Sequence, residues 1–168
     1  ITDIDDSAPI ITGPSGDIGD LTSTISIEEN TTAVHSFTAD ETVTWSLEEG
    51  NDREKFTIDE STGDLSFVNS PDYETPLGGT NNDSNEYLVN VIATDNVSLS
   101  SSQTLTVNIT DIDEVPPHIT GPSGETGSAT STISIEENTT AVHTFTANEI
   151  VTWSLDEGND REKFTIDE

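Results

Sequence analysis

The sequence predicts an all-β fold, in which an immunoglobulin-like Greek-key β-sandwich of seven strands is repeated in tandem. Apolar and polar residues alternate in seven short runs, and this alternation is typical of strands that bury one face. Residues 1–60 return at 109–168 with 48 of the 60 positions identical, and the period of 108 matches the size of one such sandwich. Serine and threonine supply 46 of the 168 residues, which favours exposed strand faces.

Each run contributes alternate apolar residues to the predicted core. Clusters of Gly, Asn, Asp, Ser and Pro separate the runs and predict turns, among them 51–54 and 60–64. Two packed antiparallel sheets bury all seven faces. In chain order the inward residues are Ile25 and Ile27; His35, Phe37 and Ala39; Val43, Trp45 and Leu47; Phe56 and Ile58; Leu65 and Phe67; Tyr87, Val89, Val91 and Ala93; and Leu105, Val107 and Ile109.

The longest stretch without a predicted strand is 69–85, which is rich in Gly, Asn and Asp. This composition predicts a surface loop. The loop is either a tolerated insertion or the place of a contact specific to this repeat.

The repeat divides the chain into four parts. Residues 1–9 are predicted to be a linker from a preceding repeat, 10–108 a complete domain, 109–117 a second linker, and 118–168 the N-terminal half of a second repeat. About four strands are expected in that half. Either it belongs to a longer chain, or strands from a neighbouring molecule complete it.

Acidic residues dominate the charge, with 34 Asp and Glu against 4 Lys and Arg, so that the formal net charge is −30. Such a field repels nucleic acid and anionic membranes, since both are bound through cationic side chains. No apolar run is long enough to span a bilayer, so direct membrane insertion is not expected. The absence of cysteine excludes disulfides and thiolate metal sites.

Two acidic segments, 3–6 and 111–114, lie at the domain boundaries, and prolines follow them at Pro9 and at Pro116 and Pro117. Carboxylates so close together repel one another, and a hard divalent cation relieves the repulsion. Ca²⁺ accepts six to eight oxygen ligands, whereas Mg²⁺ requires a strict octahedron and retains its waters. The boundaries are therefore predicted calcium sites.

Six short motifs occur in one order along the repeat. They are Glu29-Asn30, Asp40-Glu41, the hairpin at 50–59, Asp72-Tyr73-Glu74, Ala93-Thr94-Asp95 and the linker at 111–117. In this order, at domain length and repeated, they resemble the cadherin repeat, and in particular the cadherin-like tandem domains of large bacterial surface adhesins.

The resemblance implies Ca²⁺ ligands at both ends of the complete repeat. At the C-terminal end they are Glu29, Asp72, Glu74, Asp111 and Glu114, while Asp113 reaches toward Asn148 and Glu149 of the next repeat. At the N-terminal end they are Asp3, Asp5, Asp6, Asp40, Glu41 and Asp95. The chain departs from the family pattern where Glu114 replaces aspartate, where Val115 or Ser7 replaces asparagine, and where Asn148 replaces the counterpart of Asp40. Asp52-Arg53-Glu54 has the letters of a ligand motif but lies in the hairpin, so we predict no metal there.

The predicted function is that of an extracellular extender repeat, at the cell surface or secreted, in a long adhesin or filament such as those of biofilms. Ca²⁺ that bridges two repeats is expected to make the flexible linker between them rigid, and so to set the length and stiffness of the adhesin that mediates cell adhesion. The partners are neighbouring repeats, and also other adhesin chains or surface glycans. The alternative is a glycan- or protein-binding module that acts homophilically or through the 69–85 loop. A solvent-exposed Trp45 would favour this alternative.

We predict no catalytic residue. His35 and His143 occupy the same position in the two repeats, among apolar neighbours, which indicates structural histidines. No serine lies in a nucleophile elbow. Sequons begin at Asn30, Asn82, Asn96, Asn108 and Asn138, and they are glycosylation sites only in a eukaryotic secretory pathway.

Overall fold

The structure, a computed structural model, describes residues 6–79, 81–158 and 160–167. It divides into two compact units, Ile1–Ile112 and Asp113–Glu168. The boundary between them falls inside the linker predicted at 109–117. The predicted ligands Asp3 and Asp5 lie outside the described residues.

The first unit is a β-sandwich, which confirms the predicted fold class. Its strands are β1 (Ile11–Thr12), β2 (Thr22–Glu28), β3 (Ala33–Ser36), β4 (Thr38–Ala39), β5 (Thr44–Leu47), β6 (Phe56–Ile58), β7 (Asp64–Phe67), β8 (Glu86–Thr94) and β9 (Ser100–Thr110). One sheet has the strand order β2, β9, β8, β5, the second has the order β3, β7, β6, and β1 pairs with β4. A 3₁₀ turn at Arg53–Lys55 precedes β6.

The core lies between the two larger sheets and contains most of the predicted inward residues. The side chains of Trp45, Phe37, Phe56 and Leu65 are almost fully buried. Further buried apolar residues are Ile11, Val34, Phe67, Tyr87, Val89, Val91, Ala93, Leu105, Val107 and Ile109, while Ile25, Ile27, Ala39, Val43, Leu47 and Ile58 pack against them in part.

The second predicted run differs from the structure at its start. Val34 is buried, although the alternation predicts His35 as the inward residue, and His35 is half-buried. The pairing of β3 with β7 shifts register between Ala33 and His35. A bulge of this kind changes which residue faces the core. The run also divides into two strands, β3 and β4, that belong to different sheets.

The prediction of purely antiparallel sheets is wrong for one pair of strands. β2 and β9 are parallel, and seven residue pairs join them, from Thr22 beside Thr104 to Glu28 beside Thr110. The backbone N–H of Glu29 extends the pairing by donating to the Thr110 carbonyl (3.1 Å). The end of β2 and the end of β9 therefore meet at one pole of the sandwich. The 69–85 loop reaches the same pole, because Asn30 N–H donates to the Pro71 carbonyl (2.9 Å).

The second unit contains two short strands, β10 (Ile119–Thr120) and β11 (Thr146–Ala147), which pair with each other, and a 3₁₀ turn at Arg161–Lys163. Residues 130–136 have the same sequence as β2 but form no strand, so the expected four strands are not found among the described residues. The physical reason is pairing. β2 lies against β9, and the described part of the second unit contains no equivalent of β7, β8 or β9.

Among the described residues, the helical segments are these two three-residue turns, and no helix has the length and apolarity to cross a membrane.

Candidate functional site

Glu29 is a carboxylate buried at the C-terminal pole of the first unit, with 1% of its surface exposed. Its Oε2 accepts a hydrogen bond from Tyr73 N–H (2.8 Å) and its Oε1 accepts one from Ile112 N–H (2.9 Å). Asn30 follows with a φ of 61°, a left-handed conformation that asparagine tolerates better than most residues. Glu29 thus joins the end of β2 to the 69–85 loop and to the start of the linker.

Asp72 shapes the loop that passes over Glu29. Its Oδ1 accepts hydrogen bonds from Glu74 N–H and Thr75 N–H, both at 3.0 Å. The pKa of Asp72 is lowered, chiefly by the hydrogen bond with the side chain of Thr75. Asp72 is exposed as a residue, and its carboxylate caps the turn formed by the residues that follow it.

Glu74 lies next to Glu29, and one carboxylate oxygen of each residue lies within 4.8 Å of the other. A hydrogen bond to its own backbone is the largest single influence and lowers the pKa of Glu74. Partial desolvation and the negative charges of Glu29, Asp111 and Asp72 together outweigh it, so that the pKa of Glu74 is raised. The pole is a place of uncompensated negative charge.

We call Glu29, Asp72, Glu74 and Asp111 the C-terminal acidic cluster. Ion pairs among the described residues join Arg53 to Glu49, Lys55 to Glu54 and Lys163 to Asp160, and none of these uses the cluster. Its donors are carboxylate oxygens, one of them on a fully buried side chain. This donor set fits a hard divalent cation such as Ca²⁺, and no cysteine or histidine takes part.

At the opposite pole Asp95 has 8% of its surface exposed. Its Oδ1 accepts hydrogen bonds from Val97 N–H (2.8 Å) and Leu99 N–H (2.9 Å). Its Oδ2 is buried without a hydrogen-bond partner. An unpaired buried carboxylate oxygen is costly, and a cation would satisfy it.

The other described residues predicted for this pole lie in different environments. Asp40 accepts a hydrogen bond from Ile10 N–H (2.6 Å) and thereby fastens β1 to the end of β4. Glu41 is half-buried and Asp6 is exposed. Among the described residues, no three carboxylates of this group converge within 4.8 Å. We call Asp6, Asp40, Glu41 and Asp95 the N-terminal acidic group.

The second unit holds the remaining predicted ligands. Asn148 Oδ1 accepts a hydrogen bond from His118 N–H (2.6 Å), as Asp40 does from Ile10. Partial desolvation, followed by a hydrogen bond with Asp113 and by its charge, raises the pKa of Glu149, while His118 acts in the opposite direction. The structure thus brings Asp113 and Glu149 together. Glu114 is exposed in the same unit.

Asp52 and Asn85 show where sequence motifs mislead or are silent. Asp52, in the segment predicted to bind no metal, is buried, and its Oδ2 accepts a hydrogen bond from Leu88 N–H (2.8 Å). Its role is to fasten the hairpin to β8. Asn85 is not part of any motif. Its Nδ2 donates to the Tyr73 carbonyl (2.9 Å) and its Oδ1 is buried without a hydrogen-bond partner. The sequence does not predict this environment, because Asn85 looks like any other asparagine of a polar loop.

His35 packs edge-on against Phe37 with ring centroids 5.0 Å apart. Burial lowers the pKa of His35. The contact is that of a structural histidine.

A family model described as "Cadherin domain" matches residues 23–110, just over half of the chain. Protocadherin Fat 1 of Homo sapiens is 32% identical over an alignment of 131 residues that covers 74% of this chain and 3% of that protein. The chain thus spans a small part of this relative.

Among solved structures, the Protocadherin GammaB4 extracellular domain gives a TM-score of 0.53 at 20% identity, over 71% of this chain and 18% of that one. The Protocadherin gammaB7 EC3-6 cis-dimer structure gives a TM-score of 0.50 at 21% identity, over 67% of this chain and 25% of that one. At these identities the likeness shows a shared fold.

Proposed function

Because the chain belongs to the cadherin domain family, we propose that it is a calcium-binding repeat of an extracellular adhesion protein, in which Ca²⁺ stiffens the junction between neighbouring repeats. The observation that carries the proposal is Glu29. A fully buried carboxylate lies within 4.8 Å of a second one, Glu74, and the ion pairs that join Arg53, Lys55 and Lys163 to acidic residues involve neither of the two.

Two backbone N–H groups use one lone pair of each Glu29 oxygen, and the other lone pairs remain available to a metal. Those two hydrogen bonds fix the carboxylate in place before a cation arrives. A site that is already ordered loses little conformational entropy on binding. Glu29 therefore acts as the fixed ligand, around which the more exposed Asp72, Glu74 and Asp111 close.

The full proposed ligand set extends to both boundaries. Asp113, Glu114, Asn148 and Glu149 are the ligands that the second unit contributes to the junction that follows the first. Asp3, Asp5 and the N-terminal acidic group are the ligands of the junction that precedes it, and the unpaired Oδ2 of Asp95 supports this assignment. The domains proposed on either side of the 109–117 linker are 10–108 and the half-repeat 118–168.

The stiffness of the linker depends on whether the negative charge of the C-terminal acidic cluster is neutralised. Without a cation, the carboxylates of the C-terminal acidic cluster repel one another, as the raised pKa of Glu74 indicates, and the linker is free to hinge. Extracellular modules bind Ca²⁺ with Kd values of about 10⁻⁴ to 10⁻³ M, so millimolar calcium fills the sites. A stack of nearly identical repeats then extends the molecule, as in a bacterial surface adhesin of the biofilm type.

The alternative is a glycan- or protein-binding module. Sugars stack on exposed aromatic rings, but Trp45 has 3% of its surface exposed and Tyr87 has 2%, while Tyr73 has 38%. Tyr73 lies in the 69–85 loop and is one aromatic side chain, not a platform. Contact with a second chain, as in the cis-dimer of Protocadherin gammaB7, is the form of this alternative that is compatible with an extender.

Thermal unfolding in 10 mM Ca²⁺ and in excess chelator tests the proposal. A ligand at ten to a hundred times its Kd stabilises the folded state by about 1.4 to 2.7 kcal/mol, which raises Tm by roughly 5 to 20 °C in a domain of about 100 residues. Glu74→Gln should reduce this shift. Glu60→Gln, at an exposed residue within the β6–β7 turn, is the matched control and should leave this shift unchanged. Equal Tm values for the unaltered chain in calcium and in chelator would refute the metal assignment.

A further inference from the structure

We propose that Gln103 is a mechanical latch, a buried side chain that makes the first unit resist tension applied between its two ends. This inference rests on the proposed role as an extender, because an extender carries load along the chain. It concerns residues remote from the C-terminal acidic cluster and requires no cation.

The path of the load follows from the parallel pairing of β2 with β9. Tension pulls the chain before Thr22 in one direction and the chain after Thr110 in the other. In the register of the pair, Thr22 lies beside Thr104 and Glu28 lies beside Thr110, so the two loaded ends are about 20 Å apart along the strands. The two strands are pulled past each other, and all seven pairs are loaded together.

The segment that leads into β2 decides whether this shear is maintained. β1 holds to β4 by two residue pairs, Ile11 with Ala39 and Thr12 with Thr38, and by two hydrogen bonds between Ile10 and Asp40. This connection is shorter than the seven pairs that join β2 to β9, so we expect it to separate first under tension. The load then reaches residues 13–21. If these residues lift away from β9, the force peels β2 from its first pair onward, one pair at a time.

Gln103 holds this segment and the start of β2 against β9 by two hydrogen bonds, and the backbone at Gly13 packs closely on its side chain. Its Nε2 donates to the Asp20 carbonyl (2.7 Å), and its Oε1 accepts a hydrogen bond from the Ser23 hydroxyl (2.9 Å). At Gly13 the backbone lies so close that a Cβ atom there would stand 2.1 Å from Gln103 Oε1. Gln103 is fully buried and Ser23 has 4% of its surface exposed, so water does not replace either bond until the segment has moved.

Backbone pairing continues the latch, since Thr104 N–H donates to the Leu21 carbonyl (2.9 Å). The other end of β2 is fastened by Glu29, whose carboxylate holds Ile112 and Tyr73. The parallel pair is therefore closed by a buried polar side chain at each end. Gln103 lies at the N-terminal end of β2, the end to which the tension is applied.

The test is single-molecule unfolding of the full 168-residue chain, held by tags at its two termini. Unfolding of the first unit is identified by its extension, about 3.6 Å for each residue released. Gln103→Leu keeps the shape of the side chain but removes both hydrogen bonds. We expect unfolding at a fixed force to become about ten to a hundred times faster, the factor that corresponds to buried polar groups left without partners.

Leu65→Ala is the matched control. Leu65 is buried in the other large sheet, and its packing is still intact when β2 leaves β9, so we expect its loss of equilibrium stability to leave the unfolding rate under tension nearly unchanged. If Gln103→Leu fails to fold, Ser23→Ala removes one of the two bonds, and the same acceleration, smaller in size, is expected. A rate under tension that changes no more in these variants than in Leu65→Ala would overturn the latch.

Both measurements are made in chelator and in calcium. If the latch proposal is wrong, the unfolding rate under tension changes equally in Gln103→Leu and in Leu65→Ala, and this holds in each buffer. If the metal assignment is wrong, the unaltered chain unfolds at the same rate in calcium and in chelator, whatever the rates of the two variants.

Discussion

Replacing Glu29 with glutamine exchanges one carboxylate oxygen for an NH₂ group in the C-terminal acidic cluster. Glutamine is nearly the same size, so the packing is kept. It retains one acceptor oxygen but presents an NH₂ group to the second backbone N–H, where two donors then meet. One of the two hydrogen bonds of 2.8 and 2.9 Å is therefore lost, and the buried negative charge is lost with it.

The magnitude follows from burial. Hydrogen bonds to a charged group contribute about 1.5 to 3 kcal/mol, and a buried donor left unpaired costs a similar amount. We therefore expect Glu29→Gln to destabilise the first unit by about 2 kcal/mol in chelator, which corresponds to a fall in Tm of roughly 8 to 16 °C. Relief of the repulsion with Glu74 acts in the opposite direction but is screened by solvent, since Glu74 is exposed.

The assay is thermal unfolding followed by circular dichroism, and Glu28→Gln is the control. Glu28 is the adjacent residue, carries the same charge and is exposed at the end of β2, so its substitution should change stability by less than about 0.5 kcal/mol. Both variants lose one unit of negative charge, and a difference between them isolates burial and hydrogen bonding. Equal Tm values for the two variants in chelator would show that Glu29 does not hold the pole together.

Three further outcomes are expected. Glu74→Gln should be more stable than the unaltered chain at pH 7 in chelator, because the raised pKa of Glu74 means that its charge opposes folding above its ordinary value of 4.5; this advantage should disappear below that pH, and a gap in stability that is constant with pH would contradict the reasoning. Gly13→Ala should destabilise the first unit by about 1 to 3 kcal/mol, because the added methyl group would lie 2.1 Å from the buried Oε1 of Gln103. At Gly158 an added Cβ atom meets nothing within 4 Å, so Gly158→Ala should leave the free energy of unfolding unchanged in denaturant titrations. Amide hydrogen exchange measured by NMR should show strong protection in 22–28 and little in 130–136, although the two sequences are identical; equal protection would show that the second segment also forms a strand.

The fold is predictable from the sequence where a strand buries alternate residues over its whole length, as β8 and β9 do. It is less predictable where the backbone is irregular. Val34 replaces His35 in the core because of the bulge in β3, and β1 and β4, with two residues each, are too short to show a pattern. Local sequence alone does not decide whether a segment forms a strand. β2 and 130–136 have identical residues, but only β2 is a strand, because it has β9 as its partner.

The candidate site is predictable where a motif combines residue type with position. Glu29 followed by Asn30 is such a motif, because a buried carboxylate and a left-handed turn are both needed there. Asn85 and Gln103 are different. The period of β9 places Gln103 on the inward face, but nothing in a glutamine predicts that its amide is fully buried, and Asn85 is one of several asparagines in a polar loop.

The parallel pair of β2 and β9 also constrains how the chain acquires its structure. Its residues are about 80 positions apart, from Thr22 to Thr104, so β2 waits unpaired until nearly the whole repeat has been synthesised. β9 then has two identical candidate neighbours, 22–28 upstream and 130–136 downstream, and exchange between such neighbours is a characteristic error of repeat proteins. Because the twelve differences between the repeats spare this segment, its sequence does not discriminate between the two. Vectorial synthesis does so, since the upstream copy is present when β9 emerges and the downstream copy is not.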